Sequence, residues 1–172
     1  LDLRELWQEI YVDQGDLRCV VVTGTGDKAF CAGGDLKERN GMSDAQWQRQ
    51  HAIFEQAVLA LLQVPVPIIA AVNGAAFGGG TEIALCCDFI YAAERARFAL
   101  TEITLGIIPG AMGTQNLPRA VGDRRAKEII LTGLPFDADD GLKWGMVNKV
   151  CENERLLEET LGTATRIAEN AP

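Results

Sequence analysis

The chain has 172 residues, 48% of them hydrophobic and 23% charged, which is enough apolar material for a sizeable core and too little bias for wholesale disorder. A formal net charge of -8 disfavours broad nucleic-acid binding, which needs a basic face to displace phosphate counterions. No apolar run is long enough for a membrane span, and the N-terminus has no basic-then-apolar signal pattern, so neither nucleic acid nor a membrane is expected as a partner.

Taken in chain order, Leu3, Leu6, Trp7 and Ile10 stand at helical spacing and predict a helix over 3–14. The β-branched run at 19–23 reads as a buried strand. Residues 24–34, rich in glycine and small residues, read as a loop. A helix is expected over 44–63, with Phe54, Ala57, Val58, Leu61 and Leu62 on one face and Pro65 and Pro67 beyond its end. A second buried strand follows at 68–72, closed by an Asn73-Gly74 turn. Gly78-Gly79-Gly80 opens a helix at 81–87, and 89–92 reads as a third strand. Asp123 is a candidate cap for a helix to Thr132, with Gly133 just past its end. Asp137 starts a short helix, 146–150 is a strand, and a last helix covers 154–169. Strands alternating with helices indicate an α/β domain, here a single one over 1–172, and no internal repeat is visible in the residues themselves. The abrupt Leu1-Asp2 start and Ala171-Pro172 end read as those of a fragment, a processed chain or an incompletely sequenced one.

Five cysteines with no C-x-x-C pair argue against a disulfide framework or a zinc site. The single histidine, His51, reads as a helix-surface residue and excludes a multi-histidine metal centre, so no metal is expected. Lys28, Lys37 and Arg39 are close enough in sequence to form a local basic patch for a small anion.

Two glycine-rich loops carry the chemical signal. Gly24-Thr25-Gly26-Asp27-Lys28-Ala29 satisfies a dinucleotide fingerprint in letters, but that motif must open directly into a helix. Here Phe30-Cys31-Ala32-Gly33-Gly34 continues the loop, which argues against nicotinamide binding. Gly78-Gly79-Gly80 lies between a buried strand and a helix. Exposed amides at a helix start, with the macrodipole behind them, can hold a developing oxyanion; a tight turn would need the same glycines for sterics alone. Glu82 stands two residues beyond the triplet and Glu102 twenty further on, both among apolar neighbours. Paired carboxyls in apolar settings suit acid–base work, because burial raises their pKa.

Three stretches, in this order, resemble the crotonase, or enoyl-CoA hydratase/isomerase, superfamily. They are Ala29-Phe30-Cys31-Ala32-Gly33-Gly34-Asp35-Leu36-Lys37-Glu38; Ala70-Ala71-Val72-Asn73-Gly74 with Phe77-Gly78-Gly79-Gly80-Thr81-Glu82; and Thr101-Glu102 with Leu105-Gly106-Ile107-Ile108-Pro109-Gly110 and Gly113-Thr114-Gln115. The resemblance implies a spiral of repeated ββα units, here without the family's N-terminal strand pair and C-terminal helices. It also implies assembly as a homotrimer or homohexamer. It places an oxyanion hole at the backbone amides of Gly34 and Gly79, CoA contacts at Gly34, Asp35, Leu36, Lys37 and Gly79, and the catalytic pair at Glu82 and Glu102. Both glutamates together point to hydration of a trans-2-enoyl-CoA in acyl-CoA degradation. No cofactor is implied, CoA being part of the substrate. The cytoplasm is the implied location, or the mitochondrial matrix if a transit segment is missing from this chain.

The same resemblance admits double-bond isomerisation, or hydration of a branched substrate such as 3-methylglutaconyl-CoA, to whose subgroup Lys37-Glu38-Arg39 with Gly41-Met42 is similar. An RNA-binding branch of the family carries a lysine-rich N-terminal helix; residues 1–10 here hold no lysine and three acidic residues. Departures from the family pattern are Gly34 where alanine is common, Met112 for a usual glycine and Asn116 for a usual arginine.

Overall fold

The computed structural model describes residues 2–171; Leu1 and Pro172, the ends read above as interruptions, lie outside the described residues. Helix α1 (Leu3–Val12) is held at its start by a capping box between Asp2 and Glu5. Strands β1 (Val20–Thr23) and β2 (Ala29–Cys31) then lead to helices α2 (Leu36–Asn40) and α3 (Asp44–Leu62). The same order recurs in β3 (Ile68–Val72), β4 (Ala75–Phe77) and α4 (Gly79–Cys86). It recurs again in β5 (Phe89–Ala93) and β6 (Arg97–Ala99), followed by a 3-10 turn at Glu102–Leu105 and helices α5 (Gly113–Val121) and α6 (Asp123–Thr132). The chain continues through β7 (Phe136–Asp137), α7 (Ala138–Trp144), β8 (Lys149–Cys151) and α8 (Leu156–Ala168).

The strands sort into two sheets, ordered β1-β3-β5-β8 and β2-β4-β6-β7. In each of the three ββα units the first strand joins one sheet and the second joins the other, so the chain advances one strand in both sheets per turn. Helical crossovers make these neighbours parallel; among the described residues only β6 and β7 pair antiparallel. This is the spiral that the resemblance implies. The repeat is one of structure without repeated residues, which is why it is not visible in the sequence.

The central strand β3 is buried at every position. Ile68, Ala70 and Val72 face the main core with Trp7, Leu61, Phe98 and Leu117, whereas Ala71 faces a second cluster with Ala93, Cys151 and Leu156 of α8. A strand covered on both faces reads as a continuous apolar run, as 68–72 does. Ala76 and Ala99 are fully buried and pack the core rather than line a cavity.

The structure departs from the sequence reading where elements are short. Residues 24–34 contain β2, and β4, β6 and β7 have three residues or fewer, too short for a period to register. Gly113 and Pro118 obscure helix α5, and α4 begins at Gly79, inside the glycine triplet. The strand expected at 146–150 is β8, displaced to Lys149–Cys151; Met146 and Val147 are core residues. Gly122 rather than Asp123 occupies the cap of α6, and Asp123 pairs with Lys127 at 2.6 Å. Asp137 does cap α7, accepting from the Asp140 amide. On α3, Leu62 is 42% exposed, so the buried face is Val58, Ala60 and Leu61.

Candidate active site

The C-terminal ends of β2 and β4, the start of α4 and the 3-10 turn after β6 meet around a cavity of about 360 Å³. Its lining includes Gly33, Gly34, Gly79, Glu82, Glu102 and Phe54. The two glycine loops abut: a Cβ on Gly33 would lie 3.5 Å from the Gly79 nitrogen. Glycine is required at position 80 as well, because any Cβ there would collide with the Cys31 carbonyl oxygen. That contact presses the first turn of α4 against β2 and so sets one loop beside the other. Among the described residues, neither the Gly34 nor the Gly79 amide donates a hydrogen bond to the protein. Gly79 is the first residue of α4, where backbone N–H groups have no intrahelical acceptor.

Glu82 is 2% exposed, and its Oε1 accepts from the amides of Ala111 at 2.7 Å and Gly113 at 2.8 Å. Met112 between them has a φ of 74°, the left-handed region, and serves as the cap of α5. Turns of this kind aim alternate amides at one anion. Gly113 lets the carboxylate approach, since a Cβ there would stand 2.8 Å from Oε1. Burial pushes the Glu82 pKa up; the Gly113 and Ala111 amides pull it down, and the charge of Glu102 adds to the rise. Glu102 sits at the start of the 3-10 turn, 9% exposed. Its Oε2 is shielded from solvent and has no protein partner, and burial raises its pKa too. The two carboxyls therefore differ: one is cradled by two amides, the other has an oxygen without a donor.

The other expected site residues divide. Gly34, Asp35 and Leu36 line the cavity, but the Asp35 carboxylate is used as the cap of α2, accepting from the amides of Lys37 and Glu38. Lys37 is exposed and outside the lining, as is Lys28, so the basic patch suggested by their spacing with Arg39 does not form there; Arg39 alone reaches the cavity. The Gly24 loop leads into β2 rather than a helix, so the dinucleotide geometry is absent. Asn73 ties that loop down by donating to the carbonyls of Gly24 and Gly26 and accepting from the Gly24 amide.

Sequence reasoning missed the contribution of α3. Trp47, Gln50, His51 and Phe54 share one helical face and line the cavity, with the rings of Trp47 and His51 stacked at 5.0 Å. The Nε2 of His51 lies 3.2 Å from a Glu55 carboxylate oxygen. The spacing 47, 50, 51, 54 was the available signal. It also missed the Ala111 and Gly113 amides, because a backbone donor leaves no mark in side-chain letters.

A model of the enoyl-CoA hydratase/isomerase family matches residues 3–172. The chain is 45% identical over 163 residues to a mitochondrial enoyl-CoA hydratase of Pongo abelii, covering 95% of this chain and 55% of that protein. It is 44% identical over 156 residues to a crotonyl-CoA hydratase of Syntrophomonas wolfei, covering 90% and 60%. A crystal structure of an enoyl-CoA hydratase from Bacillus anthracis superposes with a TM-score of 0.96 at 46% identity, over 99% of this chain and 66% of that one. The chain thus spans between 55% and 66% of the length of these relatives. On the matched residues, the identity and the fold, the chain belongs to the enoyl-CoA hydratase/isomerase family.

Proposed function

We propose that residues 1–172 form a crotonase-like core domain that adds water across the double bond of a trans-2-enoyl-CoA to give a 3-hydroxyacyl-CoA. The observation that carries this reading is the meeting of two buried glutamates and two unengaged amides at one cavity. The thioester oxygen lies between the Gly34 and Gly79 amides. Glu82 is the base: two amide donors favour its carboxylate, which takes a proton from water as the water oxygen bonds to Cβ. The π electrons move toward Cα and the thioester oxygen, where the two amides hold the developing charge. Glu102, which has no amide cradle, is the acid and delivers its proton to Cα. The substrate gains the elements of water, with no electron gained or lost; proton exchange with solvent then returns Glu82 to the carboxylate and Glu102 to the acid, and dehydration of the product is the reverse. Each amide donor is worth about 2.7–4 kcal/mol of barrier and each acid–base group roughly 10²–10⁴-fold.

The CoA portion runs along Gly34, Asp35, Leu36 and Lys37 and is substrate rather than cofactor. Relatives named hydratases of enoyl-CoA and crotonyl-CoA support the substrate class. The protein works as a homotrimer or homohexamer in the cytoplasm or the mitochondrial matrix; among the described residues no helix is long and apolar enough to cross a membrane. The test is the fall in enoyl absorbance on adding crotonyl-CoA to the full-length protein. Glu82→Gln and Glu102→Gln should each lose at least about a hundredfold in kcat. A folded wild type that hydrates no enoyl-CoA, or variants that match it, would refute the mechanism.

A further inference from the structure

Glu82 and Cys86 stand one turn apart on α4, so their side chains leave the helix on the same face. The Cys86 thiol donates to the Ala111 carbonyl, with Sγ and the oxygen 3.8 Å apart, and accepts from Asn116 Nδ2 at 3.5 Å. Asn116 lies one turn into α5, and its Oδ1 accepts from Arg119 Nη1 at 3.4 Å, which leaves Nδ2 for the sulfur. The thiol of Cys87, by contrast, bonds back to the Ile83 carbonyl of its own helix. Burial and the charge of Glu82 push the Cys86 thiol up to about 11, against the pull of the Asn116 amide, so it keeps its proton and remains a donor at neutral pH. Among the described residues the Ala111 carbonyl takes no backbone donor, and the thiol is its one protein partner. That carbonyl lies in the peptide between the two amides, of Ala111 and Gly113, that donate to Glu82. The turn that aims them is strained: Met112, with a φ of 74°, is the one non-glycine residue in the left-handed region among the described residues. Relief of that strain rotates the Ala111–Met112 peptide, which swings its carbonyl off Cys86 and spreads the two amides.

Building on the hydration reading above, we infer that Cys86 and Asn116 are positioning residues, which hold the Met112 turn in the shape that keeps two amides on Glu82. Neither lines the cavity, so neither meets the substrate; each acts through the Ala111 carbonyl. Packing α4 on α5 would by itself be served by apolar side chains at 86 and 116. A glycine at 112 would need no such hold, because it takes a positive φ without a steric cost. Met112 and Asn116 both depart from the family pattern, and here they belong to one arrangement: the Asn116 amide donates to the Met112 carbonyl at 2.8 Å while its side chain reaches Cys86. The other titratable or charged groups around Glu82 are Cys86 on its own helix, Glu102 on the 3-10 turn, and Asp35, Glu38, Arg39 and His51 across the cavity. None of them donates to its carboxylate, so the two amides are what opposes burial there.

The experiment is an infrared titration of the full-length protein carrying isotope-labelled glutamate, with the protonated carboxyl band of Glu82 assigned by its loss in Glu82→Gln. Loosened amides favour the carboxylate less, so the titration midpoint should rise when the hold is removed. In Cys86→Ala and in Asn116→Leu it should rise by about half to one pH unit, a part of what a whole hydrogen bond to a charged group contributes. On the acidic limb of kcat/KM for crotonyl-CoA this reads as a roughly threefold to tenfold loss, because the base must be ionised, while the alkaline limb set by Glu102 stays in place. The double variant should shift no further than the larger single one, since both residues act at one carbonyl. In a Met112→Gly background Cys86→Ala should move the midpoint little, a rescue that lost packing would not show. A midpoint that stays or falls in both single variants, shifts that add in the double variant, or an undiminished shift in the Met112→Gly background would overturn the inference. Hydration of crotonyl-CoA with an unmoved midpoint would remove only this inference; a raised midpoint in a protein that hydrates no enoyl-CoA would remove only the hydration reading.

Discussion

Glu102→Gln should make the folded protein more stable at neutral and alkaline pH, although it removes a proposed catalytic group. Burial holds the Glu102 carboxyl above its ordinary value of 4.5 in the fold. A raised carboxyl pKa means that the folded state binds the proton more tightly than the unfolded chain does. Stability is therefore full below the unfolded value and is lost as pH rises through the folded value. Glutamine cannot ionise and escapes that loss. The size follows from the site: Oε2 is shielded and without a donor, and leaving a charged group unsatisfied costs about 1 kcal/mol more than leaving a neutral one. On a chain of this size that corresponds to a rise in Tm of roughly 2–4 °C. Thermal unfolding of both proteins followed by circular dichroism from pH 5 to pH 8.5 measures it. The difference should be small at pH 5 and grow with pH. Glu82→Gln should gain less, because two amides lose a charged acceptor there. A Glu102→Gln protein less stable than wild type at pH 8, or a difference that does not vary with pH, would show that the ionised carboxylate is not a strained group in this fold.

Thr81→Val should cost about 1–3 kcal/mol in urea unfolding, since the fully buried hydroxyl shares its one proton between the carbonyls of Ala76 and Ala99 and accepts from the Ala99 amide, and its loss leaves buried polar groups short of a partner. Gly80→Ala should destabilise by about 1–3 kcal/mol and lower activity in proportion to the fraction misfolded or displaced, because the methyl group must push α4 away from the Cys31 carbonyl; a fully stable Gly80→Ala protein would contradict the packing described. Burial raises the Cys86 thiol to about 11 and the Cys87 thiol further still. In the native protein at pH 8 both should react slowly with a disulfide reagent and quickly after unfolding, as peptide mapping of the modified thiols would show.

How far the letters reach depends on which groups leave a trace in them. The apolar runs at 19–23 and 68–72 identify strands, but only Ile68–Val72, covered on both faces, is buried throughout; Val20–Thr23, at the edge of its sheet, is half-buried with Thr23 exposed, which corrects the expectation of a buried strand there. Capping residues such as Asp137 and the glycines after Thr132 and Trp144 mark helix ends, because local backbone geometry demands them. Glu82 and Glu102 stood out among apolar neighbours beside glycine loops, though either could have been structural on its own; the structure brings both to one cavity. The second sheet was not legible: strands of two or three residues carry no period, and their pairing is decided by the crossovers around them.

The tertiary structure alone decided what distinguishes the two glutamates. Ala111 and Gly113 reach Glu82 because Met112 turns the backbone there, a contact between residues 29 and 31 positions apart that involves no side chain but the glutamate's own. It decided too that Lys37 points away while Arg39, two residues on, turns inward over Gly34. Local propensity and periodicity act over a few residues and so are written in the chain. The placement of amides, and of Arg39, at a shared cavity depends on how distant segments pack, and it exists only once they have done so.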